Sequence, residues 1–396
     1  MKVLFVHDHP FYKENEEFYS GGSFPALLWG NYTSYFDSLN VYARLSKNPN
    51  TKVVKSSIKD GRVIFDLTNN YSSIPKLLFN LKTIRKELNE KITNKDITIV
   101  RLPSILGFIA GYICIQQGKP FIVEQVGSSR ENYITNGSVK GKIISSFAEK
   151  LNRYIVRKAP YVYYVTKNKL QSDYPTKGLT TSISNVILLE LNNQEDINYS
   201  RFQNDKIKIG LIGGFDVSYK GQDVLLKAIS KLEYTIRKNI ELYFVGIGNY
   251  NWLLKMANTL GLSDNIKFIG PKKSGEEILN FLSSLSLYIQ PSYTEGMPRG
   301  MLEAMSMGCP VLGSTAGGIS DVVEDEFLHE PGDFVRMSRQ IKKLYTNRDL
   351  LIFESKRSLQ VVEPYLKINL DSRRKEFYTK ITQDLNKIRK TVNVLE

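Results

Sequence analysis

The sequence predicts an α/β protein with two doubly wound parallel sheets, one in each half of the chain. In the first half, short apolar segments of strand length alternate with segments that have a helical pattern. A second alternation of the same kind begins at Lys206. Between them, residues 190–204 are polar and lack a strand pattern, which is typical of a linker. Because strands that alternate with helices form parallel sheets, we place one domain at residues 1–188 and a second at residues 205–365.

The first domain is predicted to begin with a buried strand at residues 2–6. A polar loop at residues 7–20 follows and ends in Gly21 and Gly22. Doubly wound sheets bind ligands at the carboxyl ends of their strands, so this loop is a candidate ligand site. The remaining predicted elements are strands at 53–55, 63–65, 97–101, 119–124 and 161–165, with helices at 75–89 and 102–118.

The second domain is predicted to begin with a strand at residues 207–212, which ends in Gly213 and Gly214. Lys220 then precedes a glycine and a helix at residues 224–231. Glycines at the end of a strand allow a ligand to approach the backbone closely. The remaining predicted elements are strands at 241–245 and 266–270, a helix that ends near residue 282, and the last helices, over residues 334–390.

The most informative stretch lies between a strand predicted at residues 285–289 and a second at residues 310–313. Pro298 suits the first position of a helix that Gly308 ends. Met297 is then the N-cap, and its side chain cannot accept hydrogen bonds from the free amides at the helix start. Free amides and the positive end of the helix dipole favour an anion. We therefore predict an anion site at this helix start.

Two carboxylates flank the predicted anion site. Glu295 lies in the loop before the helix, and Glu303 lies on the helix. An alternative makes Ser292 and Glu295 a capping box. We disfavour it because Pro298 would then lie inside the helix, at a cost of about 3 kcal/mol. A pair of glutamates at this spacing is, by itself, more often solvated charge on a helix surface.

The surrounding sequence resembles a known family. Glu295 and Glu303, eight positions apart around Gly-Met-Pro, resemble the Glu-x7-Glu signature of retaining glycosyltransferases of family four. The match extends from Pro291 to Gly318, and similarity in the second domain runs over residues 207–333. The resemblance implies the GT-B fold. In that fold, two Rossmann-like domains face a cleft, and a C-terminal helix, here about residues 366–396, crosses back to the first domain.

The resemblance also implies an activity and a set of site residues. The implied reaction is retaining, metal-independent transfer of a sugar from a UDP- or GDP-sugar to a saccharide or lipid-linked acceptor in surface polysaccharide biosynthesis. Glu295 would hold hydroxyls of the donor sugar, Glu303 the ribose hydroxyls, and Lys220 the diphosphate, so Glu295 and Lys220 are the expected catalytic residues. The full donor-binding prediction is Gly213, Gly214, Lys220, Gly270, Pro271, Glu295, Gly296, Met297, Pro298, Arg299 and Glu303; the acceptor-side prediction is Gly21, Gly22, Gly127 and Arg130.

The chain departs from the family pattern at two places. Relatives carry an Arg where this chain has Gly214, so Lys220 would act with the helix amides alone, or Arg299 would substitute. Many relatives also carry a His after the strand at 119–124, where this chain has no histidine. Arg130 or Glu131 would face the acceptor there instead.

Three other functions remain open at this point. A sugar-nucleotide epimerase of the same fold would need a catalytic acid–base pair, and a glycoside hydrolase would need two carboxylates about 5–10 Å apart. A nucleic-acid-binding protein would explain the net charge of +14, but no binding module is legible, so we expect no nucleic acid partner. The chain has no Asp-x-Asp pattern and no GxGxxG pattern with a ribose acid, so we expect neither a metal nor a dinucleotide cofactor.

The positive charge is concentrated in the first half. Through Leu188, 26 Lys and Arg face 14 Asp and Glu, a net charge of +12, which points to an anionic partner. Residues 139–158 form an amphipathic helix pattern, with Lys142, Lys150, Arg153 and Arg157 beside its apolar face. In this family the first domain often binds the anionic membrane. We expect a cytoplasmic protein that is peripheral on the inner face of the membrane; the alternative is an ordinary outer helix.

Overall fold

The computed structural model describes residues 1–395 except 22–23, 47–53, 59–60, 70–73 and 130–138. These residues form two compact units. Unit 1 contains Met1–Val165, Leu170–Ile183 and the chain from Ser372 onward. Unit 2 contains Thr166–Lys169 and Ser184–Asp371. Each unit is built around one sheet, which is mostly parallel in unit 1 and entirely parallel in unit 2, so the predicted fold class is confirmed.

Unit 1 contains a nine-stranded sheet. Seven of its strands are parallel, in the order β5-β3-β1-β6-β7-β8-β9. Of the other two, β2 pairs antiparallel with the extended end of β1, and β4 pairs antiparallel with β2. The strands are β1 (Lys2–Glu14), β2 (Glu17–Ser20), β3 (Ser38–Ser46), β4 (Val54–Lys55), β5 (Val63–Thr68), β6 (Ile97–Leu102), β7 (Phe121–Gln125), β8 (Tyr161–Tyr164) and β9 (Leu179–Ser182).

The prediction of a polar loop at residues 7–20 is wrong, because this segment forms a β-hairpin. Strand β1 continues to Glu14 and pairs with β2 across a two-residue turn at Asn15 and Glu16. Both turn residues have positive φ, 47° and 61°, which suits the twist of a tight hairpin. Phe11 anchors the extension because its ring is fully buried against Phe65, with ring centroids 5.3 Å apart.

The helices of unit 1 include the expected buried helix and the returning C-terminal helix. The apolar run at 102–118 forms α4, which begins after Ser104, whose Oγ accepts from the Gly107 amide at 2.9 Å. From Ser372 onward the last helix packs in unit 1, where Tyr378 is buried. The helices are α1 (Gly30–Thr33), α2 (Ile74–Phe79), α3 (Leu81–Thr93), α4 (Ile105–Gln117), α5 (Val139–Lys158), α6 (Lys169–Asp173, shared between the units) and α14 (Lys367–Leu395). Among the described residues, none of these helices combines the length and apolar character needed to cross a bilayer.

Unit 2 contains a six-stranded parallel sheet in the order β12-β11-β10-β13-β14-β15. The chain runs outward from β10 to β12 and then returns to place β13 on the other side of β10. The strands are β10 (Ile207–Ile212), β11 (Ile240–Val245), β12 (Ile266–Gly270), β13 (Leu287–Gln290), β14 (Val311–Ser314) and β15 (Leu328–His329). The helices are α7 (Gln222–Ser230), α8 (Tyr234–Arg237), α9 (Asn251–Thr259), α10 (Glu276–Ser283), α11 (Arg299–Ser306), α12 (Phe334–Thr346) and α13 (Arg348–Val362).

The segment at residues 190–204, expected to be a linker, packs on unit 2 instead. Phe202 is fully buried in the core of that unit. The Asn192 amide donates to the Ser306 carbonyl at 2.8 Å, at the end of α11. The buried Arg201 guanidinium donates to the carbonyls of Ser283 and Gly308, which end α10 and follow α11. The segment therefore supplies hydrogen-bond donors to carbonyls at the carboxyl ends of two helices.

Candidate functional site

A cavity of about 420 Å³ lies at the carboxyl ends of β10 and β13. This is the point in unit 2 where the strand order reverses, which is where doubly wound sheets bind ligands. Seven predicted donor-site residues line it: Gly213, Lys220, Pro271, Glu295, Pro298, Arg299 and Glu303. Four others, Gly214, Gly270, Gly296 and Met297, lie in the same loops but are not among the lining residues.

The helix start expected to be uncapped borders this cavity. Helix α11 begins at Arg299, and Pro298 is its N-cap in an extended conformation, so the expected N-cap, Met297, is wrong by one residue. No described side chain accepts a hydrogen bond at this N-cap, which confirms the predicted free amides. Gly300 allows the helix to lie close to the sheet, because a Cβ there would be 2.6 Å from Tyr288 Oη. The helix thus directs free amides to the cavity.

Glu295 is held beside the helix start by three donors. Lys220 Nζ lies 2.5 Å from Glu295 Oε1, Ser292 Oγ lies 2.9 Å from it, and Gln290 Nε2 lies 3.2 Å from it. The Glu295 side chain is only 9% exposed. A carboxylate that is largely removed from water needs hydrogen-bond partners, and these three donors fix its position.

Lys220 reaches Glu295 because of the glycine that follows it. Gly221 has φ +74°, and a Cβ there would overlap the carbonyl oxygen of Pro291. The Tyr293 amide also donates to the Tyr219 carbonyl at 2.8 Å. The turn before α7 is therefore in contact with the loop that carries Glu295. This explains why lysine and glycine are adjacent in the sequence.

Glu303 lies on the second turn of α11 and is half-buried at the cavity. Burial raises the pKa of Glu303 above its ordinary value, and the charge of Arg299 opposes part of that rise. Among the described residues, no donor is hydrogen-bonded to its carboxylate. Both oxygens are thus available to accept hydrogen bonds from a ligand.

The position of the missing family Arg contributes no charge to the cavity. The Gly214 carbonyl accepts a hydrogen bond from Gln222 Nε2 at 2.9 Å. Three cations do line the cavity: Lys220, Arg299 and Lys272. Lys272 was not among the predicted site residues. It follows β12, and its Nζ lies 3.4 Å from Glu277 Oε1.

Sequence reasoning missed several other lining residues. Gly246 allows β11 to approach β10, because a Cβ there would overlap the Gly213 carbonyl oxygen. The glycine pair around Ile247 was a visible signal, but nothing in the sequence tied it to the stretch around Glu295. The missed lining residues are Ile212, Val245, Gly246, Ile247, Lys272, Ser274, Ile278, Gln290 and Gly300.

The predicted acceptor-side residues are only partly described. Gly21 is exposed just after β2, and the Gly127 carbonyl accepts from Gln125 Nε2 at 2.8 Å after β7. Gly22 and Arg130 lie outside the described residues. The structure does not show Gly21 and Gly127 in contact.

Unit 1 instead places a buried polar cluster at the ends of its central strands. Arg101 donates to the fully buried Glu124 at 2.9 Å, and Tyr32 Oη donates to the same carboxylate at 2.8 Å. His7 and His9 lie in the same region, and burial lowers the pKa of His9 to about 4. Both histidines lie in the segment that was predicted to be a polar loop, so their position in this cluster was not predicted.

Helix α5 presents a basic, partly apolar surface. A second cavity, of about 290 Å³, is lined by Lys150, Arg153, Tyr154, Arg157 and Pro175. Ala148 and Ile155 are buried as expected for the apolar face, but Phe147 is 70% exposed. Lys142 has no described side chain. Within the part of the chain that the structure describes, no cluster of three or more His, Cys, Asp or Glu side chains is placed to hold a metal ion.

Comparison with known proteins gives a consistent picture. A family model described as glycosyl transferases group 1 matches residues 192–359. Protein CapJ of Staphylococcus aureus is 37% identical over 364 residues, which is 91% of this chain and 91% of that protein. The capsular polysaccharide biosynthesis glycosyltransferase CapH of the same organism is 26% identical over 271 residues, 65% of this chain and 69% of CapH.

Solved structures share the fold. The structure of HepE from Anabaena in complex with UDP matches with a TM-score of 0.64 and 16% identity, over 97% of this chain and 100% of that one. WaaG, a glycosyltransferase involved in lipopolysaccharide biosynthesis, matches with a TM-score of 0.59 and 15% identity, over 96% and 99%. At these identities the matches establish the GT-B fold alone.

Proposed function

The chain belongs to the group 1 glycosyltransferases, and from this premise we propose that it transfers a sugar from a nucleoside diphosphate to a saccharide or lipid-linked acceptor, with retention of configuration and without a metal ion. Family membership favours transfer over epimerisation. The partial likeness to CapH, a capsular polysaccharide biosynthesis glycosyltransferase, supports a place in the biosynthesis of capsular or related glycans. No cofactor is proposed, because the nucleotide sugar is itself a substrate.

The observation that carries the proposal is a cavity that combines free helix amides with Lys220 and Arg299. Sugar transfer breaks the bond between the anomeric carbon and the diphosphate oxygen, and the electron pair stays on that oxygen. Donors placed where this charge develops lower the barrier. The acceptor oxygen then bonds to the anomeric carbon on the face that the diphosphate leaves, and its proton passes to a phosphate oxygen.

The two carboxylates bind the two ends of the donor. Glu295 accepts hydrogen bonds from hydroxyls of the donor sugar, and Glu303 accepts them from the ribose. A carboxylate suits both tasks because it accepts two strong hydrogen bonds. Arg299 stands in for the absent family Arg, since it lies at the same helix start and lines the cavity. We propose a UDP- or GDP-sugar as donor; HepE, a structural relative, has been seen with UDP-glucose.

A donor screen tests this function. We expect UDP or GDP, with its sugar conjugates, to raise the unfolding temperature of the protein, since a ligand at about 100 times its Kd adds about 2.7 kcal/mol of stability. ADP-sugars and UMP serve as comparison ligands. Incubation of the stabilising donor alone should release sugar slowly with its anomeric configuration retained. Recovery of an isomerised nucleotide sugar would indicate an epimerase, and the absence of any nucleotide binding would contradict the proposal.

We place the acceptor at unit 1. Gly21 and Gly127 follow β2 and β7, Arg101 lies near the carboxyl end of β6, and His7 lies on β1 just past its last pair with β6. Half-buried neutral histidines and a paired arginine offer hydrogen-bond donors to hydroxyls of an acceptor. Arg130 is retained as a proposed acceptor-side residue together with Gly22.

We further propose that helix α5 binds the anionic inner face of the cell membrane. Phe147 is exposed on the same side of the helix as Lys150, Tyr154 and Arg157, which combines an apolar anchor with cations. Each cation near an anionic surface contributes about 1 kcal/mol. The protein would then be cytoplasmic and peripheral to the membrane.

Vesicle sedimentation tests the membrane proposal. We expect weak binding to phosphatidylserine-containing vesicles that 0.5 M salt abolishes, where the Debye length is only about 4 Å. The double variant Lys150→Ser/Arg157→Ser should bind about 10- to 30-fold more weakly, since two cations contribute about 2 kcal/mol. Lys255→Ser/Lys342→Ser removes the same charge from exposed positions of unit 2 and should bind like the wild type. Absence of binding at low salt, or equal losses in both variants, would contradict the proposal.

A further inference from the structure

Glu295 is held by a chain of buried side chains that extends behind it. Besides Lys220, its Oε1 accepts from Ser292 Oγ and Gln290 Nε2. Gln290 Nε2 also donates to Ser292 Oγ at 2.8 Å, and Tyr288 Oη lies 2.7 Å from Gln290 Oε1. Tyr288 and Ser292 are fully buried, and Gln290 is nearly so. These residues therefore cannot rely on water for their hydrogen bonds.

The direction of each hydrogen bond in this chain follows from its partners. The Ile212 amide points at Tyr288 Oη at 3.4 Å, so the tyrosine hydrogen is directed at Gln290 Oε1. That choice places the amide nitrogen of Gln290 toward Ser292 and Glu295. The hydroxyl of Ser292 accepts from Gln290 and gives its hydrogen to Glu295. The hydrogen bonds that run from Tyr288 through Gln290 and Ser292 are thus all directed toward the carboxylate of Glu295.

All three donors converge on the same carboxylate oxygen. Among the described residues, none donates to Glu295 Oε2, although the side chain lines the cavity. One oxygen is therefore fixed by the protein and the other is left for a ligand. Lys220, however, has a second task, because the proposed function requires it to bind the diphosphate. When Lys220 moves to the phosphate, only Ser292 and Gln290 still hold Oε1.

We propose that Gln290 and Ser292 are positioning residues that keep Glu295 oriented toward the donor sugar when Lys220 transfers to the diphosphate. They act through Glu295: Ser292 does not line the cavity, and Gln290, which does, is only 2% exposed. Two neutral donors suit this role because they add no charge that would compete with Lys220 for the diphosphate. The proposal rests on the proposed function, since it assumes a nucleotide sugar in this cavity.

The test uses Ser292→Ala and Gln290→Met, which remove the donors with little change in volume. UDP and UDP-glucose are the probes, or GDP and GDP-mannose if the wild type binds GDP. We expect the Kd of the nucleotide alone to stay within about twofold of the wild-type value, because the nucleotide without its sugar does not contact Glu295. We expect kcat for donor hydrolysis to fall about tenfold or more, since small misplacements of a catalytic group have effects of this size.

A double-mutant cycle separates positioning from a purely structural effect. In a Glu295→Ala background, Ser292→Ala should cause no further loss in the affinity ratio of UDP-glucose to UDP, because its only route to the sugar is gone. Ser355→Ala is the matched control: it removes another fully buried serine hydroxyl, bonded to the Gly308 carbonyl at 2.6 Å. It should alter thermal stability but not kcat.

Three results would overturn the inference. Equal losses of nucleotide and sugar-nucleotide affinity would show a general distortion of the cavity, and an additive loss in the Glu295→Ala background would show that Ser292 acts elsewhere. Wild-type kcat in Ser292→Ala would show that the hydrogen bond from Ser292 to Glu295 is not needed for catalysis. If Gln290→Met does not fold, the measurements on Ser292→Ala alone test the inference. A wild-type protein that binds and hydrolyses no donor would instead refute the proposed function.

Discussion

Replacement of Lys220 by methionine is expected to lower kcat about 100- to 1000-fold, the effect of removing one donor to a developing anion in an enclosed site. The methionine keeps the side-chain length, so packing against Gly213 is largely preserved. Initial rates of sugar transfer or donor hydrolysis, with saturating donor, measure the change. The lysine pairs with Glu295 at 2.5 Å, so the variant also removes one of the three donors that hold this carboxylate.

Two comparison variants sharpen this expectation. Glu303→Ala should weaken nucleotide binding about tenfold with a smaller change in kcat, because ribose contacts are equal in ground and transition states. Glu295→Ala should mainly cut turnover. Lys255→Met, at an exposed position in unit 2, is the control for loss of a lysine and should behave like the wild type. A Lys220→Met enzyme within threefold of wild-type kcat would contradict the assigned role.

Replacement of Arg201 by methionine is expected to lower the free energy of unfolding by about 3 kcal/mol or more. Its guanidinium donates to the carbonyls of Ser283, Met307 and Gly308, and hydrogen bonds to a charged group contribute about 1.5–3 kcal/mol each. Its charge also faces the negative ends of α10 and α11. Methionine retains the buried stem but leaves the carbonyls of Ser283 and Met307 without the guanidinium donor, whereas the Gly308 carbonyl keeps the Ser355 hydroxyl.

Urea unfolding monitored by circular dichroism measures this loss. Lys342→Met, which breaks an exposed ion pair with Glu233, is the matched control and should cost less than about 1 kcal/mol. An Arg201→Met protein with wild-type stability would show that residues 190–204 are the loose connection that their composition suggests. Because α11 carries Glu303, donor affinity should fall together with stability in the Arg201 variant.

The sequence predicted unit 2 well because its strands are short apolar runs with glycine at their ends. The helix start beside Glu295 was also predictable, since proline and methionine cannot cap free amides. The boundary was wrong by one residue because Pro298 adopts an extended conformation and leaves the first helical position to Arg299. Local rules fix the existence of such elements better than their ends.

The misassigned segments depend on contacts between distant residues. The extension of β1 is polar apart from a few residues, and its turn at Asn15 and Glu16 lacks the usual glycine. Phe11 holds it through an aromatic cluster that only the fold assembles. Residues 190–204 resemble a linker because their few buried side chains are dispersed among polar ones. Only the folded chain brings Arg201 to the ends of two helices.

The cavity was predicted well around Glu295 and Glu303, but at the ends of β11 and β12 only Gly270 and Pro271 were predicted. The residues around Glu295 and Glu303 form one continuous motif, and Lys220 belongs to a short pattern of its own. The opposite side comes from the ends of β11 and β12, where Ile247 and Lys272 lie 25 positions apart in sequence. Topology alone brings these loops to the same sheet edge. The sequence showed that the family Arg is absent at Gly214. It did not show that Lys272 lines the cavity.

The glycines around the cavity determine which positions of its lining accept amino-acid substitutions. Side chains at Gly221 or Gly317 would collide with the carbonyls of Pro291 and Glu295, so that wall tolerates almost no change. The facing wall carries Ile247, which is 67% exposed, and the exposed Ser274. A mutant library meant to change donor preference should therefore vary Ile247, Lys272 and Ser274 and leave the glycines untouched.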